Sequence, residues 1–209
     1  MDRLDSATIS SYINAPKKIF VIEDVESWNP NLCSKAAIRS SDTRYFVDPS
    51  LAAASLGIGP NDLLNNPKTF GFLFETLCIR DLRVYASALN GKIYHYRDSY
   101  GLECDAVLHR RDGSYGLIEI KLGGERLIEE GAKTLKKLSD TIDTTKMKEP
   151  AFLMVRTCLF NGPDRSRLLC IPKKRRHLCR SCRLSLLLKA GTEAPVTALL
   201  FRLFFFFIS

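Results

Sequence analysis

The stretch that decides the fold is ECDAVLHRRDGSYGLIEIK, residues 103–121. Its two halves consist of alternating or wholly apolar β-forming residues, and the Asp112-Gly113 pair between them is a typical turn signal. The pattern therefore predicts a β-hairpin.

The second strand of this hairpin carries two charged residues on one face. Side chains two residues apart on a strand point the same way, so Glu119 and Lys121 emerge together while Ile118 and Ile120 point into the core. If the neighbouring strand is antiparallel and in register, Asp105 lies opposite them. Two carboxylates and one amine would then lie within a few ångströms of each other.

This group of charges predicts a metal site. Two carboxylates that close repel each other unless a divalent cation neutralises them, and open oxygen ligands suit Mg²⁺ or Mn²⁺. A lysine beside such a metal can orient or polarise a water, or offset charge on a phosphate. The alternative is an exposed sheet face on which Glu119 and Lys121 form a solvated ion pair.

Asp105 followed by Glu119-Ile120-Lys121 resembles the signature of the PD-(D/E)xK nuclease-like superfamily. The resemblance implies that Asp105, Glu119 and the Ile120 carbonyl hold the metal and that Lys121 is catalytic. A more specific resemblance, from the N-terminus to about Arg156, is to the uncharacterised DUF4143 domain, the C-terminal domain of prokaryotic AAA-type ATP-binding proteins. It implies a restriction-endonuclease-like α/β core, DNA as a partner and an upstream ATPase module.

The patterns around the hairpin predict the rest of an α/β core. Apolar residues at spacings of three and four predict a helix at residues 65–89. A strand at residues 92–97 precedes the hairpin, an amphipathic helix at 126–142 follows it, and a buried strand at 151–155 ends the core. The order helix, three strands, helix, strand matches the superfamily core.

Glu75 lies in the mostly apolar first half of the long predicted helix. An acid there is expensive to bury unless it is paired or binds something. The resemblance implies that a glutamate in this place completes the acidic cluster, which makes Glu75 the second candidate catalytic residue. The alternative is a salt bridge with a nearby arginine such as Arg80.

The N-terminal segment is predicted to form a helix at residues 6–15, ended by Pro16, and then a strand pair within residues 17–28. A short helix followed by a β-wing resembles part of a winged-helix unit. We interpret it as a linker that packs on the next domain, because Glu23 and Asp24 in the wing would repel phosphates.

A strand predicted from Thr43 ends at Asp48, which is placed to cap a helix that runs to Leu56, with Pro49 at its first position. The Tyr-Phe-x-Asp pattern of residues 45–48 resembles the family and marks the entry to its core. A catalytic role for Asp48 is the alternative to a capping role.

The net charge of +8 is concentrated in the tail. Residues 1–155 hold 20 Lys+Arg against 21 Asp+Glu, whereas residues 156–209 hold 11 against 2. The neutral body therefore gives no electrostatic footprint for nucleic acid. We divide the chain into a partial winged-helix or linker segment (1–42), a nuclease-like domain (43–155) and a basic and hydrophobic tail (156–209).

The tail departs from the family pattern. Cys179-x-x-Cys182 with His177 would be half a zinc site, but a second pair at the required spacing is missing. Codon degeneracy allows residues 175–182 to be encoded so that an adjacent reading frame spells a strand like the family's. We therefore interpret the tail as frame-shifted from about Arg156, which would leave the sheet without its terminal strand pair.

Three further features concern the environment of the protein. The first residues lack the apolar core of a signal peptide, so we expect a cytoplasmic protein. Cys33, Cys78 and Cys104 are scattered and are expected to be reduced, packed thiols. No G-x-x-x-x-G-K motif occurs, so this chain has no P-loop site for ATP.

Two functional hypotheses remain. The first is an enzyme, a Mg²⁺-dependent endonuclease or other nucleic-acid phosphodiesterase. The second is a non-catalytic docking, regulatory or DNA-binding module of an AAA-type ATPase. Lys133, Lys136 and Lys137, on the polar side of the second helix, would meet a phosphate backbone in the first case and form a solvated face in the other.

Overall fold

The computed structural model describes residues 5–30, 41–158 and 166–171. Helices and strands alternate in a mixed α/β arrangement, which confirms the predicted fold class at that level. The helices are α1 (Ser6–Lys18), α2 (Pro49–Leu56), α3 (Pro60–Asn65), α4 (Pro67–Ala88) and α5 (Glu125–Thr141). The strands are β1 (Ile22–Val25), β2 (Thr43–Phe46), β3 (Gly91–Arg97), β4 (Glu103–Arg110), β5 (Tyr115–Leu122), β6 (Phe152–Cys158) and β7 (Ser166–Ile171).

The central sheet has the strand order β3-β4-β5-β6-β7. β5 and β6 are parallel, with α5 as their crossover, and the other neighbours are antiparallel. The hairpin of β4 and β5 is confirmed. Its turn places Gly113 at a φ of 77°, a left-handed conformation that residues with a Cβ rarely adopt. The predicted order of helix, three strands, helix, strand is confirmed by α4, β3 to β5, α5 and β6.

β7 corrects one expectation about the tail. It pairs with β6 along its whole length, so β6 is not left as an open edge of the sheet. The prediction that the sheet ends without any strand beyond β6 is therefore wrong. Residues 172–209, with the proposed half zinc site and the basic run, lie outside the described residues.

Apolar layers cover both faces of the sheet. One layer lies under α4, where Phe74, Ile79 and Leu82 pack with Ile118 and Ile120 of β5. The other lies under α5; its members include Leu117, Ile128, Leu135, Leu138 and Val155. Each fully buried side chain of this kind contributes about 1.5–3 kcal/mol to the driving force for folding. β5 therefore runs through the core, and both of its faces are buried.

The N-terminal segment differs from its prediction in two ways. Pro16 does not end α1, which continues to Lys18, and the Pro16 carbonyl accepts the Val21 N–H at 2.9 Å. Residues 17–28 contain one strand, β1, rather than a strand pair, because the partner of β1 is β2. The small sheet thus joins the segment expected at 1–42 to the start of the next one.

Other local predictions are confirmed. The Asp48 carboxylate accepts the Ser50 N–H at 2.8 Å and caps α2. Cys78 and Cys104 are buried and reduced, whereas Cys33 lies outside the described residues. None of the helices in the described part of the chain is both long and apolar enough to cross a membrane.

Candidate functional site

The structure brings Asp105, Glu119 and Lys121 together at one end of the central sheet. The ammonium group of Lys121 lies 2.7 Å from Oε1 of Glu119 and 3.7 Å from Oδ2 of Asp105. The same Oδ2 accepts the backbone N–H of Ile120 at 2.7 Å. The predicted pair of carboxylates with an amine is therefore present, and the amine bridges the two acids.

The strand geometry around Asp105 explains how its side chain reaches β5. β4 and β5 stay in antiparallel register as far as Ala106 and Ile118, one step before Asp105 and Glu119. On its other side, β4 has one more residue than β3 in the segment that contains Asp105. An irregularity of this kind bends a strand and re-aims a side chain. The Asp105 carboxylate then accepts the Ile120 N–H in place of a ladder carbonyl.

Glu119 is buried, with only 4% of its surface exposed. It lies beneath α5 at Gly131, where an added Cβ would stand 3.1 Å from its Cγ. Its Oε2 is buried and has no hydrogen-bond partner among the described residues. Burial and the charge of Asp105 raise the pKa of Glu119 to about 8. The alternative of a solvated ion pair on an exposed sheet face is therefore wrong.

The neighbours of Glu119 are also perturbed. Burial raises the pKa of Asp105, although Lys121 and the Ile120 N–H oppose the change. Burial alone would lower the pKa of Lys121, but the charges of Asp105 and Glu119 outweigh it and raise that pKa. Lys121 therefore remains an ammonium ion at neutral pH and can only donate hydrogen bonds.

Glu75 lies within electrostatic reach of this cluster. Burial and the charge of Asp105 raise the pKa of Glu75, while a hydrogen bond from Tyr45 and the charge of Lys121 lower it. The Tyr45 hydroxyl donates to Oε1 of Glu75 at 2.6 Å. The predicted acidic residue of the long helix is therefore beside the site.

The alternative for Glu75, a salt bridge with Arg80, is wrong. Arg80 pairs with Asp48 and with Asp81. The capping contact and the ion pair of Asp48 thus give this carboxylate a structural role. Lys133, Lys136 and Lys137 are exposed on α5.

Sequence reasoning missed Tyr45. Burial, followed by the charge of Glu75, raises the pKa of Tyr45 far above its ordinary value, so its hydroxyl remains a donor. Tyrosine is common in β-strands, so its presence in one does not indicate a functional role. The only signal was its place in the Tyr-Phe-x-Asp pattern, in which the aspartate drew attention first.

The donor set fits a hard divalent cation in part. The described residues contain no group of three or more histidine, cysteine, aspartate or glutamate side chains that could hold a metal ion. The cluster does offer two carboxylates, and the unpartnered Oε2 of Glu119 has a lone pair available. Mg²⁺ is commonly bound through one or two carboxylates with waters and substrate phosphates as the other ligands. The residues present are sufficient for that mode.

Fold and site together define a mixed α/β domain with two acids and a lysine clustered at one end of its sheet, where Glu119 is buried and Asp105 and Lys121 are half-buried. Residues 70–170 match the model of a family described as Domain of unknown function (DUF4143). The matched stretch contains Asp105, Glu119 and Lys121. This match supports the DUF4143 family. It runs past Arg156, so the expectation that the resemblance ends there is wrong.

A second family model, Domain of unknown function (DUF8612), matches residues 2–62. This segment contains α1, the small sheet and Tyr45. No curated protein and no solved structure matches the chain.

Proposed function

We propose that this domain is a divalent-metal-dependent phosphodiesterase that acts on nucleic acid, with a PD-(D/E)xK nuclease-like core. The observation that carries the proposal is a buried Glu119 beside a half-buried Asp105, with one shared ammonium and one unpartnered carboxylate oxygen. Such an arrangement costs folding free energy, since two acids are partly or fully desolvated beside a single cation. Perturbed acids of this kind cluster at functional sites.

The roles follow from the contacts. Asp105, Glu119 and the Ile120 carbonyl would hold Mg²⁺ or Mn²⁺, which when bound polarises a phosphate oxygen and lowers the pKa of a coordinated water. Lys121, as an ammonium ion, donates hydrogen bonds that orient the attacking water or offset charge on the phosphate. It does not accept the proton of that water, because the two acids keep it charged. Glu75 assists from α4.

The order of α4, β3 to β5, α5 and β6 supports the superfamily assignment. On the same proposal, α1 and β1 belong to a partial winged-helix segment (1–42) that connects the domain to an upstream AAA-type ATPase module. The protein would then act on DNA in the cytoplasm of a prokaryotic cell.

One observation favours the second candidate function, a non-catalytic docking or regulatory module of an ATPase. Lys121 already bridges both acids, and the described residues contain no third acid placed to complete a metal group. In a module that no longer cuts, the lysine would take the place of the metal as a permanent counter-ion.

Cleavage assays separate the two candidates. The full chain is incubated with end-labelled single- and double-stranded DNA and RNA, with Mg²⁺, with Mn²⁺ and with EDTA. We expect metal-dependent cleavage that is lost in Asp105→Asn and in Lys121→Met. Asp140→Asn changes an exposed aspartate of α5 and is the matched control. Cleavage that survives in Asp105→Asn, or a metal-loaded wild-type protein that cuts none of these substrates, would contradict the proposal.

A further inference from the structure

Tyr45 contacts Glu75 from the small sheet, whereas Asp105, Glu119 and Lys121 lie on the central sheet. β2 holds Tyr45 in the small sheet, in register with Glu23 of β1. Its ring packs against the apolar layer under α4, and its hydroxyl donates to Oε1 of Glu75 at 2.6 Å. A residue of the segment that matches one family thus contacts an acid of the segment that matches another.

The small sheet is fixed to α4 by a second contact. Glu23, the cross-strand neighbour of Tyr45, forms an ion pair with Arg83. Arg83 lies eight positions beyond Glu75 on α4, which is roughly 12 Å along a helix axis. The two contacts are therefore well separated, and they set the position of the Tyr45 hydroxyl relative to α4.

The electrostatics of Tyr45 extend beyond Glu75. The negative charge of Asp105 acts on both the Tyr45 phenol and the Glu75 carboxyl. Among the described residues, Tyr45 is the one hydrogen-bond partner of the Glu75 carboxylate, and it occupies Oε1. A phenol that holds one oxygen of an acid fixes the direction in which the other oxygen points.

We propose that Tyr45 is a positioning residue of the site, and that it holds Glu75 toward Asp105 and Lys121. The inference rests on the proposed function. It makes the site composite: β4 and β5 supply the metal-binding acids and the lysine, α4 supplies Glu75, and the N-terminal sheet supplies the group that orients Glu75. A core without β2 would then carry all four charged residues and still be impaired.

The test uses Tyr45→Phe, which keeps the ring and removes only the hydroxyl. Its matched control is Tyr96→Phe, because the hydroxyl of the buried Tyr96 also donates to a carboxylate, that of Asp98 at 3.4 Å, which is not one of the acids of the site. Glu75→Gln and the double variant Tyr45→Phe/Glu75→Gln complete a double-mutant cycle, which measures the interaction between Tyr45 and Glu75. The full chain is used, with urea unfolding in EDTA, Mn²⁺ titration calorimetry and the cleavage assay as readouts.

Without metal, the effects of Tyr45→Phe and Glu75→Gln on the unfolding equilibrium constant should not be independent. The double variant should differ by about tenfold from the product of the two single effects, as for the loss of a hydrogen bond to a charged acceptor. Tyr45→Phe should weaken Mn²⁺ binding by roughly tenfold or more, the usual effect of losing a group that orients a site residue. The double variant should bind Mn²⁺ no more weakly than Glu75→Gln. Tyr96→Phe should bind it as the wild type does.

The outcomes separate this inference from the proposed function. Wild-type affinity and cleavage in Tyr45→Phe would overturn the inference alone, since the hydrogen bond would then be only structural. An equal loss of affinity in Tyr96→Phe would also overturn it, because general destabilisation would explain both variants. A wild-type protein that neither binds Mn²⁺ nor cleaves nucleic acid would overturn both proposals.

Discussion

Replacing Glu119 by glutamine should stabilise the metal-free protein, and the gain should grow with pH. The residue is 4% exposed, and its pKa is raised from 4.5 to about 8. An acid whose pKa is higher in the folded protein loses its proton first in the unfolded chain. Wild-type stability therefore falls as the pH rises from 4.5 toward 8, whereas Glu119→Gln has no such proton to lose.

The size of the effect follows from the two pKa values. Each pH unit between them corresponds to about 1.4 kcal/mol, so full ionisation of Glu119 in the folded protein costs at most ~5 kcal/mol. The variant should be more stable than the wild type by about 1 kcal/mol at pH 5 and about 4 kcal/mol at pH 8.

Urea unfolding of both proteins in EDTA at pH 5, 6, 7 and 8 measures this difference. Glu129→Gln, which changes an exposed glutamate of α5, is the matched control and should follow the wild type at every pH. If the free energies of unfolding of Glu119→Gln and the wild type run parallel from pH 5 to pH 8, Glu119 does not carry a raised pKa and the cost assigned to the cluster is absent.

Two further predictions concern packing and the turn after β3. Gly131→Ala should weaken Mn²⁺ binding, because its Cβ would press on Glu119, and should give none of the usual stabilisation of about 0.5–1 kcal/mol for replacing a helical glycine. Calorimetry and urea unfolding check this prediction. The control is Gly71→Ala in α4, where an added Cβ meets nothing within 4 Å, and it should stabilise the protein by about 0.5–1 kcal/mol. Asp98→Ala should cost about 1–3 kcal/mol in urea unfolding, because the buried carboxylate accepts two backbone N–H groups, and it should leave Mn²⁺ affinity unchanged. A loss of Mn²⁺ binding in Asp98→Ala that matches the loss in Gly131→Ala would contradict both assignments.

The sequence allowed the local parts of this fold to be predicted because their signals are local. Asp112-Gly113 between β-forming runs located the hairpin, and Asp48 before Pro49 located a helix start. The spacing of two along β5 put Glu119 and Lys121 on one face. Given the hairpin, antiparallel pairing predicted that Asp105 lies near Glu119 and Lys121, although the observed register ends one step earlier, at Ala106 and Ile118.

Contacts between distant segments were beyond such reasoning. The pairing of β1 with β2, the partner of Glu75 and the strand irregularity beside Asp105 depend on tertiary packing. Glu119 was expected to emerge from the sheet, yet α5 covers that face and Gly131 makes room for the acid. A period of two identifies the face of a strand but not what covers that face.

Calorimetric titration of the full chain with Mn²⁺ near pH 7, in two buffers of different ionisation enthalpy, tests the central claim most directly. The account predicts binding of one Mn²⁺, with release of on the order of one proton because the raised pKa of Glu119 leaves it protonated before the ion binds. Asp105→Ala should abolish this binding and Lys121→Ala should preserve it. A folded wild-type protein that takes up no Mn²⁺, or one whose binding Asp105→Ala leaves intact, would contradict the assignment of the cluster as a metal site.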